Sequence, residues 1–264
     1  TNPAALARFY GDNNADELIV YDMSDSDAEH EEALDMIKAI CNEAEIPVTG
    51  AGNVKRMEDI KKLLYAGCKK AALNYSRQDN VDITEEVSLK FGRDKIVACV
   101  TEADTITDNE ALLEAYVSEL ILVREKEIKD VLAVSRFPVI VSIPEVSLDK
   151  LLELLEKDNI CGISGHAINE NARELLAIKA LCQSNGIAVS TFDAAVRWDE
   201  FKLNCDGHVP VIVQDYKTDE VLMMAYMNEE AYRMTLKTGR MTYYSRSRQE
   251  LWIKGETRGN YQYV

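Results

Sequence analysis

Apolar and polar positions alternate in blocks through residues 1–191. Short aliphatic runs occur at Leu18–Tyr21, Ile46–Thr49, Ala71–Asn74, Lys95–Val100, Leu120–Val123, Pro138–Ile143, Ile160–Ser164 and Ile187–Thr191. Their length and lack of helical periodicity predict buried strands. Between them apolar residues recur every three or four positions, as in Met57–Tyr65 and Leu148–Leu155, and Gly67 stands where a helix C-cap glycine belongs. Strict alternation of helices with short buried strands implies a parallel sheet with right-handed crossovers. Eight such units in about 190 residues suit a compact (β/α)8 barrel, with an open doubly wound sheet as the alternative.

The pattern changes after residue 206. Val209–Asp215 and Val221–Tyr226 read as paired strands around a polar turn at Thr218–Asp219. Asn228 is a good helix N-cap, Glu229 and Glu230 suit the first turn, and Gly239 closes the helix after Lys237. Met241–Tyr244 reads as a further strand. This is a small α+β pattern, so the chain divides into a barrel at 1–195, a linker at 196–206 and a second domain at 207–264.

Charge supports the division. Of the 264 residues, 30 are basic and 46 acidic, for a net charge of -16. Residues 207–264 hold eight basic and seven acidic side chains, so the negative excess lies in the first part. Such a balance opposes binding to nucleic-acid phosphates. No apolar run approaches the ~18 residues of a membrane helix, and no secretion signal is visible. The six cysteines are widely spaced without a C-x-x-C pair, which fits reduced thiols in the cytoplasm rather than a disulfide framework. The chain opens Thr1-Asn2-Pro3, a helix cap followed by a first-turn proline, and closes on Asn260–Val264, which reads as a strand cut in mid-run. Both ends lead us to expect part of a longer protein.

Barrels place their chemistry at strand C-termini. The residues there are Asp22, the turn Gly50-Ala51-Gly52, Thr101, Pro144 and Gly165-His166. Gly50 and Gly52 would let backbone N–H groups approach a phosphate, or simply make a tight turn. His166 reads as a solvated loop residue. In the second domain, Arg246, Ser247, Arg248 and Lys254 form a basic stretch suited to phosphate oxygens, and Trp252 offers a stacking surface. A solvated hairpin over a core tryptophan is the structural counterpart.

Two resemblances organise these features. Glu17–Asp22, Ile46–Gly52 and Tyr65–Asn74 resemble the second, third and fourth strand regions of the histidine-biosynthesis barrels, above all the cyclase subunit of imidazole glycerol phosphate synthase. Gln183–Val189 is similar to that family's C-terminal end. The resemblance implies one catalytic aspartate on a first strand, which these residues do not include, and another at the end of the fifth, where Thr101 stands. The family's glycine-rich phosphate turn corresponds to Ser142-Ile-Pro144, and proline lacks the required N–H. The resemblance therefore implies a (β/α)8-like barrel that lacks its first strand and has lost its chemistry, with Asp22, Gly50 and Gly52 as a relic ligand site. An active cyclase, which would need Asp104 at the Thr101 position, and a non-catalytic scaffold are the alternatives.

Gln214-Asp215, Leu222–Glu229, Tyr244–Trp252 and Lys254–Asn260 closely resemble the first half of phosphoribosyl-AMP cyclohydrolase, with Arg258 in place of the usual serine and Tyr244 in place of a frequent tryptophan. That resemblance implies hydrolysis of the N1–C6 bond of the purine ring of phosphoribosyl-AMP by a zinc-activated water, with magnesium aiding substrate binding. It implies a homodimer and substrate contacts from Arg246, Ser247, Arg248, Lys254, Glu256, Thr257 and Asn260. The family's zinc cysteines and magnesium aspartates follow the Lys254–Thr257 motif, so neither set is expected within these residues, and this segment alone is expected to be inactive. In bifunctional relatives a phosphoribosyl-ATP pyrophosphohydrolase domain comes next.

Overall fold

Of seven short strands in the first part of the chain, Val48–Ala51 and Ile96–Val100 are buried throughout, whereas Leu18–Tyr21 and Ile160–Ser164 are largely part-exposed. The computed structural model describes residues 2–191, 194–216, 218–257 and 261–264, the Asp27 side chain excepted. The chain forms two compact units, Thr1–Ala188 and Val189–Val264.

The first unit contains β1 (Leu18–Tyr21), β2 (Val48–Ala51), β3 (Lys70–Asn74), β4 (Ile96–Val100), β5 (Glu119–Leu122), β6 (Val139–Ser142) and β7 (Ile160–Ser164). They pair in sequence order, each parallel to the next. The helix α1 (Pro3–Asp12) precedes β1, and helices occupy the crossovers, including α2 (Asp27–Ala44) and α3 (Met57–Tyr65). This is a partial (β/α) barrel.

Local sequence explains the helix starts. The Asn2 side chain accepts the Ala4 N–H and Pro3 opens α1. Ser26 and Glu29 cap α2 reciprocally. The Asp59 carboxylate accepts the N–H groups of Lys55 and Arg56 at the start of α3. Ile60 and Leu63 on α3 are buried, which explains the three-residue apolar spacing of that segment.

The alternation of side chains along each strand creates two apolar layers. Val48, Ala71, Leu73, Ile96, Val100 and Leu120 belong to the large core shared with the helices. Ala51, Ala72, Val97, Cys99 and Ile121 form a separate cluster on the other face, flanked by Ile19 and Ile140. Where both faces are covered, as in β4, the strand is continuously apolar in sequence.

One expected strand is absent. Ile187–Thr191 is irregular, and the sheet has seven strands rather than eight runs. The Ile187 N–H bonds back to Cys182 O at 2.9 Å, extending the end of the helix Leu175–Ser184. An apolar run without a ladder neighbour does not make a strand. The segment 196–206, expected as a linker, packs within the second unit. Trp198 and Phe201 stack against Tyr232 with ring centroids 5.8 and 5.2 Å away, and the Tyr232 hydroxyl donates to Val196 O.

The second unit holds two antiparallel hairpins, β8 (Val209–Gln214) with β9 (Val221–Met227), and β10 (Thr242–Ser245) with β11 (Glu250–Ile253). Between them runs the helix Glu229–Thr238, capped by Asn228 through the Ala231 N–H and closed by Gly239 at φ 62°. Met227, Ala231 and Tyr243 form its buried centre. On the other side of the first hairpin, Ile212 and Met224 face each other across the ladder and are 69% and 56% exposed. Of the expected terminal strand, the described residues keep a single bridge, Tyr263 to Arg240.

Among the described residues, no helix is long and apolar enough to cross a membrane.

Candidate functional site

In the barrel unit, Asp22 follows β1 and is buried. Its carboxylate accepts the Ser24 N–H at 2.9 Å and lies 2.5 Å from His30 Nδ1. Burial alone would raise its pKa, but hydrogen bonds from Ser24 and His30 outweigh that and hold the carboxyl below its ordinary value. His30 is buried, and its Nε2 has no hydrogen-bond partner. His30 also lines a cavity of about 450 Å³ with Asn53, Lys55, Arg56 and Lys62.

Both glycines of the second turn have a packing reason. A Cβ at Gly50 would lie 2.9 Å from Cys68 Sγ and from Leu63, so glycine lets β2 and the end of α3 approach closely. Gly52 has φ +84°, and a Cβ there would lie 2.1 Å from Asp22 O. Thr101 directly follows β4, where it is within 3.5 Å of the Ser76 hydroxyl. Asp104 is exposed in the first turn of the helix Ala103–Asp108. The strand end therefore carries a hydroxyl and not the carboxylate that a barrel cyclase would require. His166 is exposed and paired with Glu170 at 3.1 Å, so it is solvated as expected, but it opens the short helix His166–Glu170 rather than lying in a loop.

The second unit gathers a different set. Asn204 Oδ1 accepts the N–H groups of Asp206 and His208, which fixes a tight turn ahead of β8. That turn brings the His208 ring onto Tyr244, stacked with centroids 4.9 Å apart. The β10–β11 connection is tied by Gln249 N–H to Ser245 O at 2.7 Å and by Gln249 Nε2 to Arg246 O at 2.6 Å. The Tyr244 hydroxyl donates to Gln249 Oε1. The Arg246 guanidinium lies 3.7 Å from the centre of the Tyr226 ring. Together Asp206, His208, Tyr244, Arg246, Ser247 and Gln249 line a cavity of about 870 Å³. His208 Nδ1 is buried there without a hydrogen-bond partner.

Of the expected substrate residues that are described, only Arg246 and Ser247 come together in this cavity. Arg248 turns to Glu250 at 3.1 Å. Lys254 lies over the Trp252 ring at 5.3 Å, and Trp252 packs against Tyr243 rather than standing free to stack on a ligand. Glu256 and Thr257 are exposed in the turn after β11. Asn260, and the departure at Arg258, lie outside the described residues. Conversely, Asp206, His208, Tyr244 and Gln249 were not expected as site residues. The one signal for His208 was a histidine directly after Gly207, at a turn into a strand.

The donor set does not fit zinc or a magnesium cluster. Among the described residues no three His, Cys, Asp or Glu side chains gather to hold a metal ion. The single cysteine of the second unit, Cys205, is exposed.

A partial parallel barrel and a small α+β unit, with an arginine- and ring-lined cavity in the latter, describe a two-part protein. Comparison with known proteins agrees. Residues 1–127 match the family described as histidine biosynthesis protein, and residues 223–264 match phosphoribosyl-AMP cyclohydrolase. Phosphoribosyl-AMP cyclohydrolase of Streptococcus thermophilus is 60% identical over 68 residues, 25% of this chain and 61% of that protein. Its namesake from Archaeoglobus fulgidus is 60% identical over 65 residues, 25% of this chain and 60% of its own length. That of Methanocella arvoryzae is 63% identical over 65 residues, 25% of this chain and 52% of its own length. The chain thus spans about 61% or less of these relatives. It joins a segment similar to histidine-biosynthesis proteins to one similar to phosphoribosyl-AMP cyclohydrolase.

Proposed function

We propose that this chain acts in histidine biosynthesis in the cytoplasm and carries the substrate-binding portion of a phosphoribosyl-AMP cyclohydrolase. The cavity at the β10–β11 turn supports this reading. Arg246 supplies a planar, permanently charged fork for phosphate oxygens, with the Ser247 hydroxyl beside it. The stacked His208–Tyr244 pair supplies a flat surface for a purine, while Gln249 and Asp206 offer polar atoms to its edge. In the whole protein the reaction opens the purine ring by hydrolysis of the N1–C6 bond, and zinc and magnesium ligands come from residues other than these. Residues 1–264 alone bind but do not hydrolyse phosphoribosyl-AMP.

The barrel is a non-catalytic scaffold in this reading. Its Asp22 carboxylate is engaged by His30 and Ser24, and Thr101 occupies the strand end where the cyclase resemblance calls for an aspartate. A second copy of the chain covers the exposed apolar face of β8 and β9, giving a homodimer.

Calorimetric titration with phosphoribosyl-AMP tests the assignment. Arg246→Ala should weaken binding about tenfold, as loss of a charge-assisted contact does. Unchanged affinity in a folded Arg246→Ala protein would overturn it, as would ring opening, read by absorbance, catalysed by residues 1–264 alone.

A further inference from the structure

Cys41 and Cys68 are 27 residues apart in sequence, yet their sulfur atoms lie 3.8 Å apart. Cys41 is on α2, and Cys68 follows α3 on the way into β3. The contact is built by glycines. A Cβ at Gly67 would lie 2.8 Å from Cys41 Cβ, and one at Gly50 would lie 2.9 Å from Cys68 Sγ. Each sulfur thus sits against a backbone that only glycine leaves open. Cys68 is buried, whereas Cys41 is half-buried and open to a small reagent.

We propose that Cys41 and Cys68 form a redox-modification site in the barrel unit, a dithiol that a hydroperoxide converts to a disulfide. A modest approach of the sulfurs from their present contact brings them to the ~2.05 Å of a disulfide bond. The Cys41 thiolate attacks one oxygen of hydrogen peroxide, the O–O bond breaks, and Cys41 becomes a sulfenic acid as the released hydroxide takes up the proton the Cys41 thiol had lost and leaves as one water. The Cys68 sulfur then displaces hydroxide from that sulfenic acid, which leaves as a second water with the Cys68 proton. Two thiols lose two electrons in all, and the peroxide gains them. The hydrogen bond from Cys68, then the backbone N–H of Cys41 and last the charge of Lys69, favour the Cys41 thiolate and lower its pKa against the opposing effect of burial. Cys68 is held as the thiol by its bond to Cys41 and by burial. Attack by Cys41 and resolution by Cys68 follow from exposure, since Cys41 is half-buried and Cys68 is buried. The product ties α2 to the α3–β3 connection. This site is independent of the cavity in the second unit.

The test treats the folded chain with equimolar hydrogen peroxide, blocks remaining thiols by alkylation, and maps disulfide-linked peptides by mass spectrometry. A Cys161→Ser/Cys205→Ser background removes the two exposed thiols that would otherwise react between molecules. The expected result is a Cys41–Cys68 linked peptide, loss of two alkylatable thiols and full recovery with dithiothreitol. With Cys68→Ser, Cys41 should stop at the sulfenic acid, trapped by dimedone. Absence of the linked peptide, with Cys41 either unreacted or carried on to the sulfinic acid, would overturn the proposal.

Discussion

The two units bury their apolar residues in opposite ways. The barrel unit covers both faces of a seven-stranded sheet with one large core and one inner cluster. The second unit closes only a small centre around Met227, Ala231 and Tyr243 and leaves Ile212, Leu222 and Met224 exposed on its first hairpin. Yet the chemistry is distributed the other way. In the barrel, the residues at strand ends are consumed by packing and by one another: Asp22 by His30, Gly50 by Cys68 and Leu63, Gly52 by Asp22. In the second unit, Arg246, Ser247 and His208 border a cavity of about 870 Å³, larger than the 450 Å³ cavity beside His30, although each histidine keeps a buried nitrogen without a partner. A large core allows a fold to persist after its site residues change, because stability does not depend on them. A small unit has little stability to spare for such changes.

The sharpest way to break this contrast is Tyr243→Ala. Tyr243 is fully buried and its hydroxyl donates to Gln262. Its truncation should cost about 4 kcal/mol, abolishing the folded signal of the second unit while the barrel transition persists in a denaturant titration. Retention of both transitions would show a sturdier second core than the packing implies. In the barrel, Leu73→Ala should cost about 3 kcal/mol and lower the denaturation midpoint without unfolding the unit.

A smaller effect is expected at Asp22→Asn, about 2 kcal/mol, because a buried imidazole loses its partner. This change also probes pH. The folded carboxyl titrates below its ordinary value. The unfolded state therefore binds the proton more readily, and the stabilisation present above the unfolded value is lost as pH falls through the folded one. The barrel's acid unfolding should be steeper in the parent than in Asp22→Asn; identical profiles would refute the linkage. Smallest of all, Arg233→Ala breaks an exposed pair with Glu229 at 2.6 Å and should change the stability of the second unit by less than about 0.5 kcal/mol.

Much of the barrel was legible because its inner strands, such as β2 and β4, are buried on both faces, and seven of the eight apolar runs are strands. Helix ends were legible where the side chain itself makes the cap, as at Asn2 and Asn228. Ile187–Thr191 misled because composition marks apolarity but not whether a ladder partner exists. The candidate site was half legible. Arg246 and Ser247 lie at a hairpin turn whose flanking strands were apparent. The position of His208 depends on the Asn204 turn and on stacking across to Tyr244, a contact between residues 36 apart that no local pattern records. Lys254 and Trp252 drew attention by residue type, yet a lysine over a ring and a ring against a core tyrosine are also how a hairpin packs.

Backbone hydrogen exchange with and without saturating phosphoribosyl-AMP tests most directly where the ligand binds. The account predicts slowed exchange at residues 206–208 and 244–249, with residues 22–31 and 53–59 of the barrel unchanged. Slowed exchange at the barrel residues, with the second unit unaffected, would contradict it.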